Sequence, residues 1–396
     1  MRIGLLSVFI VLMAMGENVI GQDKAFADFT VLFRNEMKQA GIVGGSFVFL
    51  KNMSVVATEH YGVANLEKNQ PVNDDTIYHW ASNTKPFTGI AIMQLRDRGF
   101  LKLDDPVTKY LPELRAIHNT HGSMDAITIR HVLTHSGGFR NGTWPWRNNK
   151  PWEPFEPREW SQLVAMFPFT EVQFKTGSKY SYSNPGIIYL GRIIETITKE
   201  DYEVYVDKNI FKPLGMHRSY FDATPYHLLK YRSHSYYIED GKRTEGKFDA
   251  DTGVTVSNSG LNAPVSDMIK YLNFLIGVRT GNRSDPVLYD SVLKRTSLEE
   301  MWRPQLRAEL DANGNSGFTT DIGLIFFLDQ SLSPTHLGHG GDQNGFISYI
   351  DFDPKKRMAS LLVFNTNVIP RANAIPATDA VSKLRKTVRQ IYKTIE

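Results

Sequence analysis

The apolar positions change period along the chain. Between residues 24 and 40, Phe26, Phe29, Leu32, Phe33 and Met37 recur at helical spacing, and Gly41 is a stop. The runs Gly44–Leu50 and Val55–Val63 are β-rich, and Lys51-Asn52-Met53 between them predicts a hairpin. From about 100 to 250 the pattern becomes a series of short helical stretches, Ile127–Thr134, Arg158–Phe167, Pro185–Thr198 and Tyr202–Phe211. Aromatic residues and prolines are frequent there. Strand patterns return at Asp321–Leu328, Phe346–Phe352 and Met358–Phe364, and a last helical stretch covers Ala377–Tyr392. Strands thus lie at both ends of the chain and helices in the middle. This predicts an α/β plus α fold in which terminal segments, about 22–80 and 250–396, share a sheet around a mainly helical region at about 100–250. Two independent domains would need a linker, and no Gly/Ser-rich stretch supplies one. Residues 22–396 are therefore expected to form one domain.

The first 21 residues are excluded from that fold. Arg2 precedes an apolar run from Ile3 to Gly16, shorter than the roughly 20 residues of a membrane span. Small residues follow at cleavage-compatible spacing, Ala14 with Gly16 or Val19 with Gly21. The expectation is a secretory leader over 1–21 and a periplasmic or secreted mature chain without a transmembrane anchor.

Charge and cysteine content narrow the chemistry. Lys+Arg 45 against Asp+Glu 42 leaves +3, and basic runs are no longer than Lys355-Lys356-Arg357, which argues against nucleic acid as a partner. With no cysteine, disulfides, Cys-ligated zinc, iron–sulfur clusters and a thiol nucleophile are excluded. No Gly-Lys-Ser/Thr completes a phosphate-binding loop, and no Gly-x-Ser-x-Gly marks a nucleophile elbow.

The sharpest local feature is Ala81-Ser82-Asn83-Thr84-Lys85-Pro86-Phe87 ahead of an apolar stretch to Leu95. The run from Ser82 to Arg98 predicts a helix that Gly99 ends. Pro86 lacks an N–H and fits only the first turn, which places Ser82 at the helix start. Lys85, three residues on, shares its face. A buried lysine is expensive to keep charged, so its pKa falls and it can accept a proton. Serine and lysine at this spacing can act as nucleophile and base; equally, they suit a helix cap and a lysine reaching for solvent. About 100 residues later comes Tyr180-Ser181-Tyr182-Ser183-Asn184-Pro185-Gly186, where a tyrosine can move a proton and an asparagine can hold a substrate amide. Ser-Asn-Pro-Gly is also strong turn chemistry. A third element is Gly338-His339-Gly340-Gly341-Asp342-Gln343-Asn344-Gly345, whose glycines let a strand approach a ligand closely.

In this order, Ser-x-x-Lys, Tyr-Ser-Asn and His-Gly-Gly resemble the serine β-lactamase and penicillin-binding protein superfamily, in its class C-like branch of esterases, D-aminopeptidases and DD-carboxypeptidases. Leu133-Thr134-His135-Ser136-Gly137-Gly138-Phe139, Ile210-Phe211-Lys212-Pro213-Leu214-Gly215-Met216 and Gly260-Leu261 with Ser266-Asp267 extend the resemblance over nearly all of the chain after the leader. It implies an antiparallel sheet flanked by helices. It also implies roles: Ser82 as the acylated nucleophile, Lys85 sharing its proton, and Tyr182 as general base and donor to the leaving group. Asn184 would contact Lys85 and the substrate amide. His339 stands where the third motif has a lysine, with Gly341 beside it, and the N–H groups of Ser82 and Asp342 would form the oxyanion hole. No metal or organic cofactor is implied.

Three features invite other readings. Lys175-Thr176-Gly177 spells the third motif literally but precedes Tyr182 and lacks a following strand, so it reads as a turn. His131 and His135 sit four apart, a zinc-like spacing without a third ligand cluster. Four of the six tryptophans fall between Trp144 and Trp160, as a substrate wall or as packing. The expected activity is hydrolysis of carboxylic esters or D-amino-acid peptides, including peptidoglycan-derived ones, because histidine at 339 is mostly neutral near pH 7 and a poor carboxylate anchor. The alternatives are a β-lactamase or DD-carboxypeptidase, and a non-catalytic penicillin- or peptidoglycan-binding protein.

Overall fold

The structure, a computed structural model, describes residues 24–143, 157–249, 252–277, 289–308, 321–329, 336–368 and 377–395. The expected leader, Trp144, Trp146 and Trp152 lie outside them.

Helix α1 covers 24–39. Among the described residues the principal sheet has nine strands. In spatial order they are β3 (Gln70–Pro71), β2 (Ser54–Asn65), β1 (Gly44–Lys51), β14 (Met358–Phe364), β13 (Phe346–Asp353), β12 (His336–Gln343), β11 (Phe327–Asp329), β10 (Asp321–Ile322) and β9 (Leu306–Arg307). Every pairing is antiparallel. The first and last parts of the chain meet at β1 and β14, from Gly45 opposite Phe364 to Lys51 opposite Met358. A small sheet of β4 (Ile77–His79), β8 (Leu261–Pro264) and β5 (Tyr220–Phe221) ties the helical region to the entry of the Ser82 segment. Another joins β15 (Thr366–Val368), β6 (Tyr236–Glu239) and β7 (Lys242–Glu245).

Strand alternation gives the principal sheet two apolar faces. Phe47 and Phe49 of β1 and Ile347 of β13 pack with Phe29, Phe33, Leu384 and Val388, from α1 and the C-terminal helix Ala377–Thr394. Val48 and Leu50 of β1 and Ile350 and Phe352 of β13 belong to the larger core on the other side. That core contains helix α2 (Lys85–Asp97) and the helix Asn184–Thr198. The sheet is therefore a middle layer, with the Ser82 segment against one face.

Candidate active site

Ser82 lies in a 3-10 turn, Ala81–Thr84, that runs directly into α2 with Pro86 in its first turn. The entry is strained: Ala81, fully buried, has φ +48°, a left-handed conformation that costs a non-glycine residue about 1 kcal/mol or more. Polar side chains hold it. Asn83 Nδ2 donates to Ser348 Oγ (2.8 Å), Ser348 Oγ donates to the Trp80 carbonyl (3.1 Å), and Thr84 Oγ1 donates to the Ala81 carbonyl (2.7 Å). Ser82 itself stays partly accessible while Asn83, Thr84 and Lys85 are buried.

Lys85 Nζ lies 2.9 Å from Ser82 Oγ and donates to the Asn258 carbonyl at 2.9 Å. No carboxylate among the described residues pairs with it. Burial therefore pushes the amine well below the usual lysine range. The same nitrogen sits 4.9 Å from the centre of the Tyr182 ring. The Tyr182 phenol shares a hydrogen bond with Ser82, and burial raises its pKa well above the ordinary tyrosine value. Burial thus moves both groups toward their neutral forms, the amine by lowering its pKa and the phenol by raising it.

Tyr182 is set by the residue that the zinc-like spacing had singled out. The Ser181 N–H donates to the His135 carbonyl (2.8 Å), and the Ser183 N–H donates to His135 Nδ1 (3.1 Å). The two bonds bracket Tyr182, and the His135 ring lies 4.5 Å from the Tyr182 ring at 32°. A left-handed backbone at His135, φ +51°, allows its carbonyl and its ring to serve the same segment. His131 is engaged elsewhere: its Nδ1 accepts from the Thr128 N–H (3.2 Å). Tyr180 packs against His135 and Phe327.

Asn184 departs from expectation. Its Nδ2 donates to Asn141 Oδ1 (3.2 Å), while the polar partners of Lys85 are Ser82 and Asn258. The reason is local. Asn184 begins the helix Asn184–Thr198 beyond an N-cap at Ser183, whose Oγ accepts from the Gly186 N–H (3.1 Å). The Asn258 carbonyl has the place beside the amine that Asn184 was expected to fill.

The third motif lies on β12. Its neighbour β11 pairs only as far as Gly338, and beyond that point β12 runs beside the Ser82 turn. His339 and Gly341 face the turn, by strand alternation. A methyl group on Gly341 would come within 2.2 Å of the Trp80 carbonyl and 3.1 Å of the Ser82 nitrogen, so only glycine permits this approach. Asp342 points its carboxylate to the other face, where Asn367 Nδ2 donates to it (2.7 Å). Only the backbone of Asp342 is thus placed near the turn.

His339 is 2 % exposed, less open than a substrate anchor should be. Its Nδ1 lies 2.7 Å from the Gly340 carbonyl. A carbonyl only accepts, so Nδ1 carries the hydrogen and Nε2 presents a lone pair, buried without a hydrogen-bond partner. Burial, with Lys85 nearby, pushes this imidazole down to about 3. Phe327 packs on it with ring centres 5.1 Å apart. The motif reading missed Phe327, Asn258 and Ser348, because none carries a spacing signal.

Lys175-Thr176-Gly177 forms a turn, with the Ser178 N–H on the Lys175 carbonyl (3.0 Å) and Gly177 at φ +77°. Trp160 is packing: it donates to Glu113 (2.6 Å) and meets Phe167 and Tyr189 edge-on.

A family model described as Beta-lactamase matches residues 29–382. Protein Flp of Staphylococcus aureus is 25 % identical over 337 residues, which is 85 % of this chain and 62 % of Flp. The chain thus spans less than two thirds of that relative's length. Esterase EstB of Burkholderia gladioli is 29 % identical over 215 residues, half of this chain and 53 % of the esterase. Among solved structures, the D-amino acid amidase of Ochrobactrum anthropi SV3 superposes with a TM-score of 0.73 at 20 % identity. The match covers 94 % of this chain and 98 % of the amidase, and at this identity it speaks for the fold.

Proposed function

The chain belongs to the Beta-lactamase family, and on that premise we propose that it is a serine hydrolase that forms an acyl-enzyme on Ser82 and acts on carboxylic esters or D-amino-acid peptides. One observation carries the reading. The buried Lys85 amine, its pKa pushed well down by burial, lies 2.9 Å from the only partly covered Ser82 hydroxyl, with the Tyr182 phenol on the same oxygen.

In this reading Ser82 Oγ bonds to the substrate carbonyl carbon as its proton passes to Lys85 Nζ. The carbonyl oxygen becomes an oxyanion between the Ser82 and Asp342 N–H groups, each donor worth roughly 3–4 kcal/mol to the transition state. Tyr182 and the protonated lysine return the proton to the departing oxygen or nitrogen as the carbonyl–leaving-group bond breaks. Water then attacks the acyl carbon, and the same groups restore Ser82. The surroundings support neutral substrates: His339 offers no positive charge to a carboxylate. Residues 1–21 are proposed as an export leader, to be checked by N-terminal sequencing of the mature protein.

The test is p-nitrophenol release from a short-chain p-nitrophenyl ester by the protein and by Ser82→Ala. Sustained turnover abolished in the variant is expected. A single-turnover burst would indicate a covalent binding protein instead, and release that survives Ser82→Ala would overturn the assignment of the nucleophile.

A further inference from the structure

We propose that Phe327 is a specificity-determining residue: its ring seals His339 from the substrate groove, so substrates are held by an aromatic wall and not by the third-motif imidazole. The inference rests on the hydrolase reading and names the substrate class of that site, uncharged esters over ammonium- or carboxylate-bearing ones.

Phe327 opens β11 and is half-buried. Its ring is 5.1 Å from His339, 6.5 Å from Tyr182 and nearly parallel to it (19°), and 6.2 Å from Tyr180 at 75°. One side chain therefore touches the general acid–base tyrosine, its neighbour and the motif histidine together. Tyr182 also packs on His339, at 6.4 Å. Tyr182 is committed to Ser82, which leaves Phe327 as the separable part of the cover.

The buried face of His339 shows what the cover does. Its enclosed Nε2 is a lone pair without a partner. A buried acceptor left unmet is costly. A substrate ammonium, amide or hydroxyl would satisfy it if it could arrive, and a carboxylate would meet it acceptor to acceptor. Burial first of all keeps the imidazole neutral, and Lys85 and Arg385 among the groups around it add to the effect. Lys85 stands on α2, His135 on the loop after Leu133, Tyr182 ahead of the helix Asn184–Thr198, and Arg385 on the C-terminal helix. Among the described residues none of these is a carboxylate that would favour protonation. Replacing Phe327 with alanine admits water and substrate to Nε2. Hydration then lets the imidazole titrate nearer its ordinary range.

The experiment compares three p-nitrophenyl esters of equal acyl length, ending in a methyl, an ammonium or a carboxylate group. Wild type, Phe327→Ala, Phe327→Leu and Phe327→Ala/His339→Asn are assayed from pH 5 to 8. In wild type, the preference for the methyl ester over the carboxylate ester is expected to stay constant with pH. In Phe327→Ala the carboxylate ester should gain at least about tenfold relative to the methyl ester between pH 8 and 5, and the ammonium ester should gain at pH 8. A tenfold change corresponds to about 1.4 kcal/mol. Phe327→Leu keeps the cover and should follow wild type, and the double variant should lose the gain. A Phe327→Ala enzyme with wild-type preferences, or a gain that persists in the double variant, overturns the proposal. An arm independent of turnover uses the wild-type protein with ¹⁵N-labelled histidine, in which the His339 ring should keep its Nδ1–H form from pH 8 to 5. Titration of that ring near 6.5 would end the proposal even if the hydrolase reading stands, whereas loss of the hydrolase reading leaves this measurement valid.

Discussion

Two buried sites on opposite faces of the sheet treat positive charge in opposite ways. Against one face, Lys85 is enclosed with a hydroxyl and a carbonyl, and without a carboxylate among the described residues. On the other face, the C-terminal helix buries Arg385 and Arg389 over Asp351. Arg385 Nε and Nη2 donate to its two carboxylate oxygens (2.9 and 3.1 Å), and Arg389 Nη2 donates to Oδ1 (2.9 Å). Arg389 Nη1 also reaches Asp329 (3.1 Å). Burial alone would raise the Asp351 carboxyl, but the two guanidiniums hold it down to about 2. The lesson is that burial does not decide what a cation does. A guanidinium beside a carboxylate stays charged and fastens a helix to the sheet. A buried amine given only neutral partners holds its proton far less tightly.

Substituting methionine on each side tests this contrast most strongly. Lys85→Met should lower kcat/KM by at least about 10²–10⁴-fold, the range of a lost general base, with little change in thermal stability because no buried charge is orphaned. Arg385→Met should do the reverse. It leaves the buried carboxylate short of a partner and should cost about 3–5 kcal/mol, while activity per folded molecule is retained. Chemical denaturation and single-substrate kinetics on both variants suffice. A large loss of stability in Lys85→Met would show that the lysine is charged and structural after all.

Acid separates the two faces next. His79 and His339 are held neutral by burial, down to about 4 and about 3 from 6.5, with Arg232 adding to the effect at His79 and Lys85 at His339. Above pH 6.5 neither the folded nor the unfolded chain binds these protons. Below it the unfolded chain takes up protons that the fold refuses. Stability should therefore fall as the pH drops from 6.5 toward 4, by up to about 1.4 kcal/mol per unit for each histidine. The Asp351 contribution has the same sign in a lower window. It is whole above 3.8 and is lost only as the pH falls through about 2. Thermal midpoints from pH 7.5 to 4 should decline in the upper window, and a flat profile there would remove the histidine side of the comparison.

The smallest effect expected is at Asn184. Its side chain meets Asn141 instead of the amine, so Asn184→Ala should leave the pH dependence of kcat/KM unchanged and cost about 1 kcal/mol of stability for one partly exposed hydrogen bond. A shifted acid limb would show that Asn184 reaches Lys85 during the reaction.

Much of the molecule was legible in the sequence because it depends on local spacing. Apolar period located α1, β1, β2, β13, β14 and the C-terminal helix. Pro86 placed Ser82 and Lys85 on one turn, since proline is tolerated only there. Glycine at 341 announced a close backbone approach. What stayed hidden involves residues far apart in the chain. Asn258 and Ser348 reach the site from 173 and 265 positions away from their partners, and Phe327 packs on Tyr182 from a distant segment of the chain; no short motif records such pairings. The same holds for His135, whose zinc-like spacing from His131 gave no hint that its carbonyl and ring would serve the Tyr182 segment. By itself, then, the sequence determined most of the order of strands and helices and named the candidate reactive side chains, because hydrogen-bond period and covalent chemistry are local. Only the tertiary structure decided which of them are buried and which way their pKa values move, because solvation and charge pairing depend on neighbours that folding alone brings together.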